Sequence, residues 1–363
     1  IRDRLSIHIE RHMKRVAFVA PSPIKGSGGV ARIYHFAQSL SNNGYDCHVF
    51  IFDSGNLSSS DASRNAKEYY GASGFTCHTA ASVPSGVFDL VIATRWDSVA
   101  LAQRVKSHAS AYLVQDYEAY FNPTGDGSVL AENSYMAGFQ PLTYGRWLAL
   151  KLEQEFGNAP YYFDFASDTN VFRCKNSMEN RINEVKKVVF VYQGDKTRRC
   201  PRLGIEALGI VKHHRPDVEL HFVGSNEPPH LWYDFKNVGN ITINELNALY
   251  NSCHVGLSLS SSNPSCNSFD MMAAGLPSVD LYRENNLFDV PAGGVMLALQ
   301  TQESIAEAIL HLLNHPTELV ERSQFGIDFM AGRSQGDEVV SFLSAVDAII
   351  NGRGHGAVSY THL

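Results

Sequence analysis

The chain has 363 residues, 44% hydrophobic and 18% charged, with a formal charge of −7 at pH 7. That length exceeds one typical core and suits two, in a composition ordinary for a globular protein. A mildly acidic balance offers no dense Lys/Arg face for a phosphate backbone, which argues against nucleic acid as a partner.

The opening stretch, IRDRLSIHIERHMKR, is polar and lacks the apolar centre of a signal peptide. No apolar run approaches the roughly 18 residues needed to span a bilayer. Six cysteines (Cys47, Cys77, Cys174, Cys200, Cys253 and Cys266) are scattered without a C-x-x-C pair. That spacing suits neither zinc nor a disulfide framework and predicts a reducing compartment. The expectation is a cytoplasmic protein with no transmembrane segment. Peripheral contact with the inner membrane face and homodimer formation stay open.

Val16–Ala20 reads as a buried strand, followed by the glycine-rich loop Lys25-Gly26-Ser27-Gly28-Gly29. Val30, Ile33, Phe36, Ala37 and Leu40 then recur at helical spacing, with Gly44 as a stop. Strand patterns resume at 47–52, 90–93 and 111–114. The second half restarts the scheme: a strand at 188–192, a helical face through Leu203, Ala207, Leu208 and Val211, and a strand at 218–223. A short helix at 245–250, a strand at 254–259, a polar loop over 260–268 and a helix through Met271 and Met272 follow. Apolar strands alternating with helices imply parallel sheets with right-handed crossovers. The predicted fold class is α/β with two Rossmann-like, doubly wound domains: 1–173, then a polar linker at 174–185, then 186–336. Ser304–Leu313 and Val339–Ile350 read as amphipathic helices. The later one, about 337–350, is left free to pack back on the first domain, and 351–363 reads as a disordered tail.

Gly26, Gly28 and Ala31 spell a G-x-G-x-x-A dinucleotide fingerprint, with Asp53 where a ribose-binding acid would stand. Pro21–Lys25 separates the strand from the first glycine, however, so an NAD site is disfavoured. The preferred reading has Gly28 and Gly29 opening a helix whose amides face a sugar or phosphate across an interdomain cleft. The loop Ser258–Ser268 and the helix after it offer a second set of free amides, with Asp270 one turn in, where it would meet a ribose hydroxyl. Asp116 and Glu118 form a D-x-E at a strand end. With no further carboxylate partner, the pair is assigned to orienting or deprotonating an acceptor hydroxyl rather than to a metal. Asp126, Glu132 and Tyr135 follow among Tyr117, Tyr120, Phe121, Phe139, Tyr144 and Trp147, aromatics that suit either an acceptor wall or a core. None of the 15 histidines has zinc-site spacing, and His35 and His48 read as structural.

The segment Asp270-Met271-Met272-Ala273-Ala274-Gly275-Leu276-Pro277 is similar to the signature of glycosyltransferase family 4, a retaining GT-B family. Its E-x7-E motif precedes A-x-A-x-G-x-P. Asp270 stands at the second Glu, and Ser262, eight residues earlier, replaces the first. The Gly28-Gly29 turn and Asp168-Thr169-Asn170-Val171-Phe172 resemble further family elements. Gln115-Asp116-Tyr117-Glu118, Gly125-Asp126, Ala131–Tyr135 and Asn263-Pro264-Ser265 resemble bacterial rhamnosyltransferases of the WsaF type.

The resemblance implies retaining, metal-independent transfer of a hexose or deoxyhexose, best matched by L-rhamnose from dTDP-L-rhamnose, to a glycan acceptor in surface polysaccharide synthesis. It implies no bound cofactor, only the nucleotide-sugar co-substrate. Lys196 and Arg199 become the candidate diphosphate cations, joined on the donor by Asn263, Pro264, Ser265 and Asp270. A sugar-nucleotide epimerase of the same architecture, or a non-catalytic glycan-binding protein with a degenerate transferase fold, stands as the alternative.

Overall fold

The computed structural model describes residues 13–79 and 86–352. The opening residues 1–12 and the expected tail beyond Gly352 lie outside the described residues. By contact density the chain divides into two units, Ile1–Leu113 with Asn133–Pro141 and Leu343–Leu363, and Val114–Glu132 with Leu142–Phe342.

The first unit is built from β1 (Arg15–Ala20), α1 (Gly28–Asn42), β2 (Asp46–Ile51), α2 (Ser59–Tyr70), β3 (Thr76–Thr79), β4 (Phe88–Ala93), the short α3 (Val99–Ala102) and β5 (Ser107–Val114). Its strands are parallel and ordered β3-β2-β1-β4-β5. A central parallel strand is covered on both faces, which is why β1 is almost unbroken apolar sequence. Against the sheet, α1 buries Ile33, Tyr34, Phe36, Ala37 and Leu40, each large apolar side chain contributing about 1.5–3 kcal/mol. Both singled-out histidines find partners here, with His35 Nε2 2.7 Å from the Tyr70 carbonyl and His48 Nδ1 2.9 Å from His78 Nε2.

Next in the chain come α4 (Asp126–Tyr135), β6 (Gln140–Tyr144), α5 (Arg146–Phe156), β7 (Tyr161–Phe163) and α6 (Met178–Arg181). Then follow β8 (Lys187–Val191), α7 (Pro201–His214), β9 (Glu219–Val223), β10 (Lys236–Gly239), α8 (Ile243–Tyr250), β11 (Val255–Leu257), α9 (Cys266–Ala273), β12 (Ser278–Leu281), α10 (Glu284–Asp289) and β13 (Val295–Ala298). Three helices end the series, α11 (Gln302–Asn314), α12 (Pro316–Met330) and α13 (Gln335–Ile350). The second unit holds a six-stranded parallel sheet ordered β10-β9-β8-β11-β12-β13, with β6 paired in parallel to β7. Phe190, Phe222, Leu257 and Val279 from the strands meet Leu208, Ile305 and Ile309 from α7 and α11 in its core.

The segment expected as a polar linker carries α6, whose Arg181 is fully buried. Its two Nη atoms donate to the carbonyls of Tyr250, Asn251 and Gly275, so backbone oxygens rather than a carboxylate hold the guanidinium. The end of α13 counts with the first unit, where Lys14 Nζ lies 3.3 Å from Asp347. No helix among the described residues is long and apolar enough to cross a membrane.

Candidate functional site

In the second unit, the loops at the carboxyl ends of β8 and β11 and the strand β12 carry a connected set of charged and buried polar groups, at the edge where open α/β sheets bind ligands. After β8, a 3₁₀ turn over Thr197–Arg199 leads into α7. Cys200, the N-cap of α7, sits at φ 47° and ψ 48°, and no side chain caps the helix. It is the only non-glycine residue at positive φ among those described, a conformation costing on the order of 1 kcal/mol or more. Pro201 takes the first helical position, where its missing N–H costs nothing. An uncapped helix start preceded by Lys196, Arg198 and Arg199 concentrates positive charge. Burial and then the neighbouring Arg198 hold the Lys196 amine below its ordinary range, and burial with Arg199 does the same to Arg198.

Each arginine is fixed differently. Arg199 Nη1 donates to Ser260 Oγ at 2.7 Å. Ser260 Oγ donates in turn to the Asn263 carbonyl at 2.6 Å, and its N–H donates to Asp280 Oδ1 at 2.8 Å. Arg198 Nε lies 3.6 Å from Asp116 Oδ2, an ion-pair distance too long for a hydrogen bond. Its guanidinium carbon also sits 4.3 Å from the centroid of the Phe121 ring.

Asp116 is 7% exposed and its carboxylate is fully engaged. Oδ1 accepts from the N–H of Asn263 and of Tyr117, both at 2.8 Å, and Oδ2 accepts from Ser262 Oγ at 3.0 Å. Burial raises its pKa against the opposing pull of Arg199, the Asn263 amide, Arg198 and Ser262, so desolvation outweighs pairing. Asn263 Nδ2 donates to the carbonyls of Gln115 and Tyr144 at 3.0 and 3.1 Å. Asp116 and Asn263 thus stitch the β11–α9 loop to the segments after β5 and β6. Ser262, where the family motif has its first Glu, spends its hydroxyl on the same carboxylate.

Asp280 and Asp289, both missed in sequence, complete the framework. Asp280, on β12, is 0% exposed, and burial raises it to about 7 against the N–H groups of Leu281 and Ser260 and the charge of Arg199. Asp289 accepts from the N–H of Arg146 at 2.6 Å and of Trp147 at 3.1 Å, and burial raises it to about 6. It occupies the start of α5, where Gly145 stands at φ +76° and an added Cβ would lie 2.6 Å from both Asp289 and Phe165. Only glycine fits there. A lone carboxylate inside the apolar run SVDL was a legible signal for Asp280. Nothing local marked Asp289.

The remaining expected residues fall as follows. Ser265 caps α9, its Oγ accepting from the N–H of Asn267 at 3.3 Å, next to the buried Pro264. Asp270 Oδ1 accepts from Ser167 Oγ at 2.6 Å, while Phe165 and Phe269 stack at 4.7 Å beside them. Glu118 is buried at the start of a 3₁₀ turn. Asp126 begins α4, and Glu132 on the same helix accepts from Tyr117 Oη at 3.2 Å. Tyr135 belongs to the first unit, 3% exposed and stacked on Tyr112. Gly28 and Gly29 are the first two residues of α1, capped by Ser27. The positive φ in that loop belongs to Gly26. Asp53 is occupied by Ser22, whose N–H and Oγ both donate to it. The structure therefore gathers Asp116, Lys196, Arg199 and Asn263, adds Arg198, Ser260 and Asp280, and places Gly28, Gly29 and Tyr135 in the other unit. Among the described residues no group of three or more His, Cys, Asp or Glu side chains is arranged to hold a metal ion.

Comparison with known proteins falls on the same segment. Residues 186–310, from the start of β8 into α11, match the family model described as WsaF, C-terminal domain. Over 201 residues, 53% of this chain, the sequence is 32% identical to the O-antigen biosynthesis protein RfbC of Myxococcus xanthus, and the match spans 15% of RfbC's length. Among solved structures, TarM of S. aureus is similar with a TM-score of 0.73 at 10% identity, over 94% of this chain and 99% of TarM. Anabaena Alr3699/HepE, solved with UDP and glucose, is similar with a TM-score of 0.67 at 12% identity, over 93% and 100%. The chain has the GT-B fold of these structures, and its residues 186–310 are similar to the WsaF C-terminal domain.

Proposed function

We propose that the chain is a glycosyltransferase that moves a hexose or deoxyhexose from a nucleoside-diphosphate donor to a glycan acceptor, on the cytoplasmic side, in bacterial surface polysaccharide assembly. The observation that carries this reading is the uncapped start of α7 beside Lys196, Arg198 and Arg199, inside the WsaF-like segment. A leaving diphosphate gains negative charge as the sugar bond breaks. Preorganised amides and cations stabilise that charge without reorganising. Ser260, Asp280 and Asp116 set the two guanidinium groups before any ligand arrives.

In this reading 186–336 serves the donor, with Asn263, Pro264, Ser265 and Asp270 shaping its loop, and 1–173 serves the acceptor. Asp116 acts by positioning, because its carboxylate is already committed, and Glu118 of the same D-x-E pair keeps its assignment to the acceptor hydroxyl. The WsaF resemblance favours dTDP-L-rhamnose, the family 4 resemblance favours retention, and the HepE complex keeps uridine donors in view.

The test is calorimetry of the whole chain with dTDP, UDP, dTDP-L-rhamnose and UDP-glucose, followed by product analysis with and without a glycan acceptor. Binding of a nucleotide sugar with turnover only when acceptor is present supports transfer. Turnover of the donor alone to an epimer, or no nucleotide binding at all, removes it.

A further inference from the structure

The second unit contains a cavity of about 260 Å³ lined by Tyr120, Trp147, Ser261, Arg283, Glu284, Asn285 and Gln300. Tyr120 and Trp147 are two of the aromatics that suit an acceptor wall, and no residue assigned to the donor diphosphate or to the acceptor hydroxyl lines it. It adjoins the arginine framework through the backbone, since Ser261 follows the Arg199-bound Ser260 and donates through both N–H and Oγ to the Arg198 carbonyl at 2.9 and 3.1 Å.

We propose that this cavity is a subsite for one uncharged sugar ring, an inference that rests on the glycosyltransferase reading. Size supplies the first argument. Pockets for drug-sized ligands run from about 300 to 1,000 Å³, so this volume suits a single ring and excludes a whole nucleotide sugar. Lining chemistry supplies the second. Two aromatic side chains offer faces for the apolar side of a pyranose, and the rest offer both donors and acceptors, as vicinal hydroxyls require.

The groups are also held in place. Asn285, 2% exposed, donates through Nδ2 to the Ser260 carbonyl at 3.2 Å, which ties the cavity floor to the residue that fixes Arg199. Arg283 Nη1 donates to Gln300 Oε1 at 2.7 Å, and among the described residues no carboxylate lies within ion-pair distance of that guanidinium. Donors therefore remain for a ligand. Arg283 and Glu284 together bring one charge of each sign, which matches a neutral ring better than a uronic acid or a phosphorylated sugar. The ring comes either from the donor's glycosyl group or from the acceptor.

Tyr120 is 45% exposed and Gln300 is also exposed, so Tyr120→Ala and Gln300→Ala remove contacts without opening the core. Wild type and the double variant are titrated with dTDP and UDP, with dTDP-L-rhamnose and UDP-glucose, and with methyl α-L-rhamnoside and methyl α-D-glucoside in saturating nucleotide. The free nucleotides should bind both proteins within about twofold, whereas one class of sugar-bearing probe should lose about tenfold in the variant. Loss on the nucleotide sugars assigns the cavity to the donor ring, and loss on the methyl glycosides assigns it to the acceptor. Unchanged affinity for every sugar-bearing probe, with nucleotide binding intact, overturns the subsite and leaves the glycosyltransferase reading standing. Failure of wild type to bind any nucleotide overturns both.

Discussion

Two helices that follow the first strand of each sheet begin in opposite ways. At α1, Ser27 is extended and its Oγ accepts from the Val30 N–H at 3.4 Å, so the helix caps itself, with a single lysine, Lys25, ahead of it. At α7, Cys200 is left-handed, no side chain caps the start, and three cations stand in the preceding four residues. A self-capped end has spent a donor that an anion would use, while an open end ringed by cations keeps its donors and adds charge. The same strand–loop–helix unit thus presents different chemistry at its two helix starts, and the difference lies in the cap.

The largest expected effect comes from breaking the scaffold of the α7 end. Asp116→Ala strands the Asn263 N–H and removes the carboxylate facing Arg198, and should cost about 3 kcal/mol in urea unfolding. A loss below about 0.5 kcal/mol would show that the turn does not depend on Asp116. Next, Arg199→Ala should weaken nucleoside-diphosphate binding about 30-fold, near 2 kcal/mol, whereas Lys25→Ala should change it less than about twofold. Equal effects at the two helix starts would erase the contrast.

Asp280 supplies a pH test. Its pKa is raised by burial from 3.8 to about 7, so the native state holds a proton that the unfolded chain has lost. Its contribution is complete below about pH 4 and is lost as pH rises toward 7. Asp280→Asn should therefore gain stability relative to wild type across that interval, on the order of 4 kcal/mol by pH 8. A pH-independent difference between the two proteins would rule out this titration. The smallest effects belong to α1. Ser27→Ala should cost about 1 kcal/mol. Gly28→Ala should stay within about 0.5 kcal/mol, because an added Cβ meets nothing within 4 Å. Lost activity in a Gly28→Ala protein of normal stability would then report a ligand at that backbone.

Periodicity carried much of the architecture, because a parallel strand buried on both faces must be apolar throughout. VAFVA and VVFVY stand out for that reason, as β1 and β8. Short or edge elements such as β3, β7 and β10 did not, since TCHT, YYF and KNVG lack any run long enough to register. The cation turn was legible as charge. Its choice of arginines was not: Lys196 and Arg199 were singled out, while Arg198, the partner of Asp116, went unremarked.

What the sequence alone determined is the alternating α/β pattern, the positions of the glycine-rich and serine-rich loops, and the stock of cations after β8. Tertiary structure decided which carboxylates are consumed. Asp116 meets Asn263, and Asp289 meets the start of α5, across separations of 147 and 143 residues. A hydrogen bond over that distance depends on how whole elements pack, and no local window of residues encodes it. Burial then set the protonation of Asp280, since desolvation comes from the surrounding core and not from neighbours in the chain.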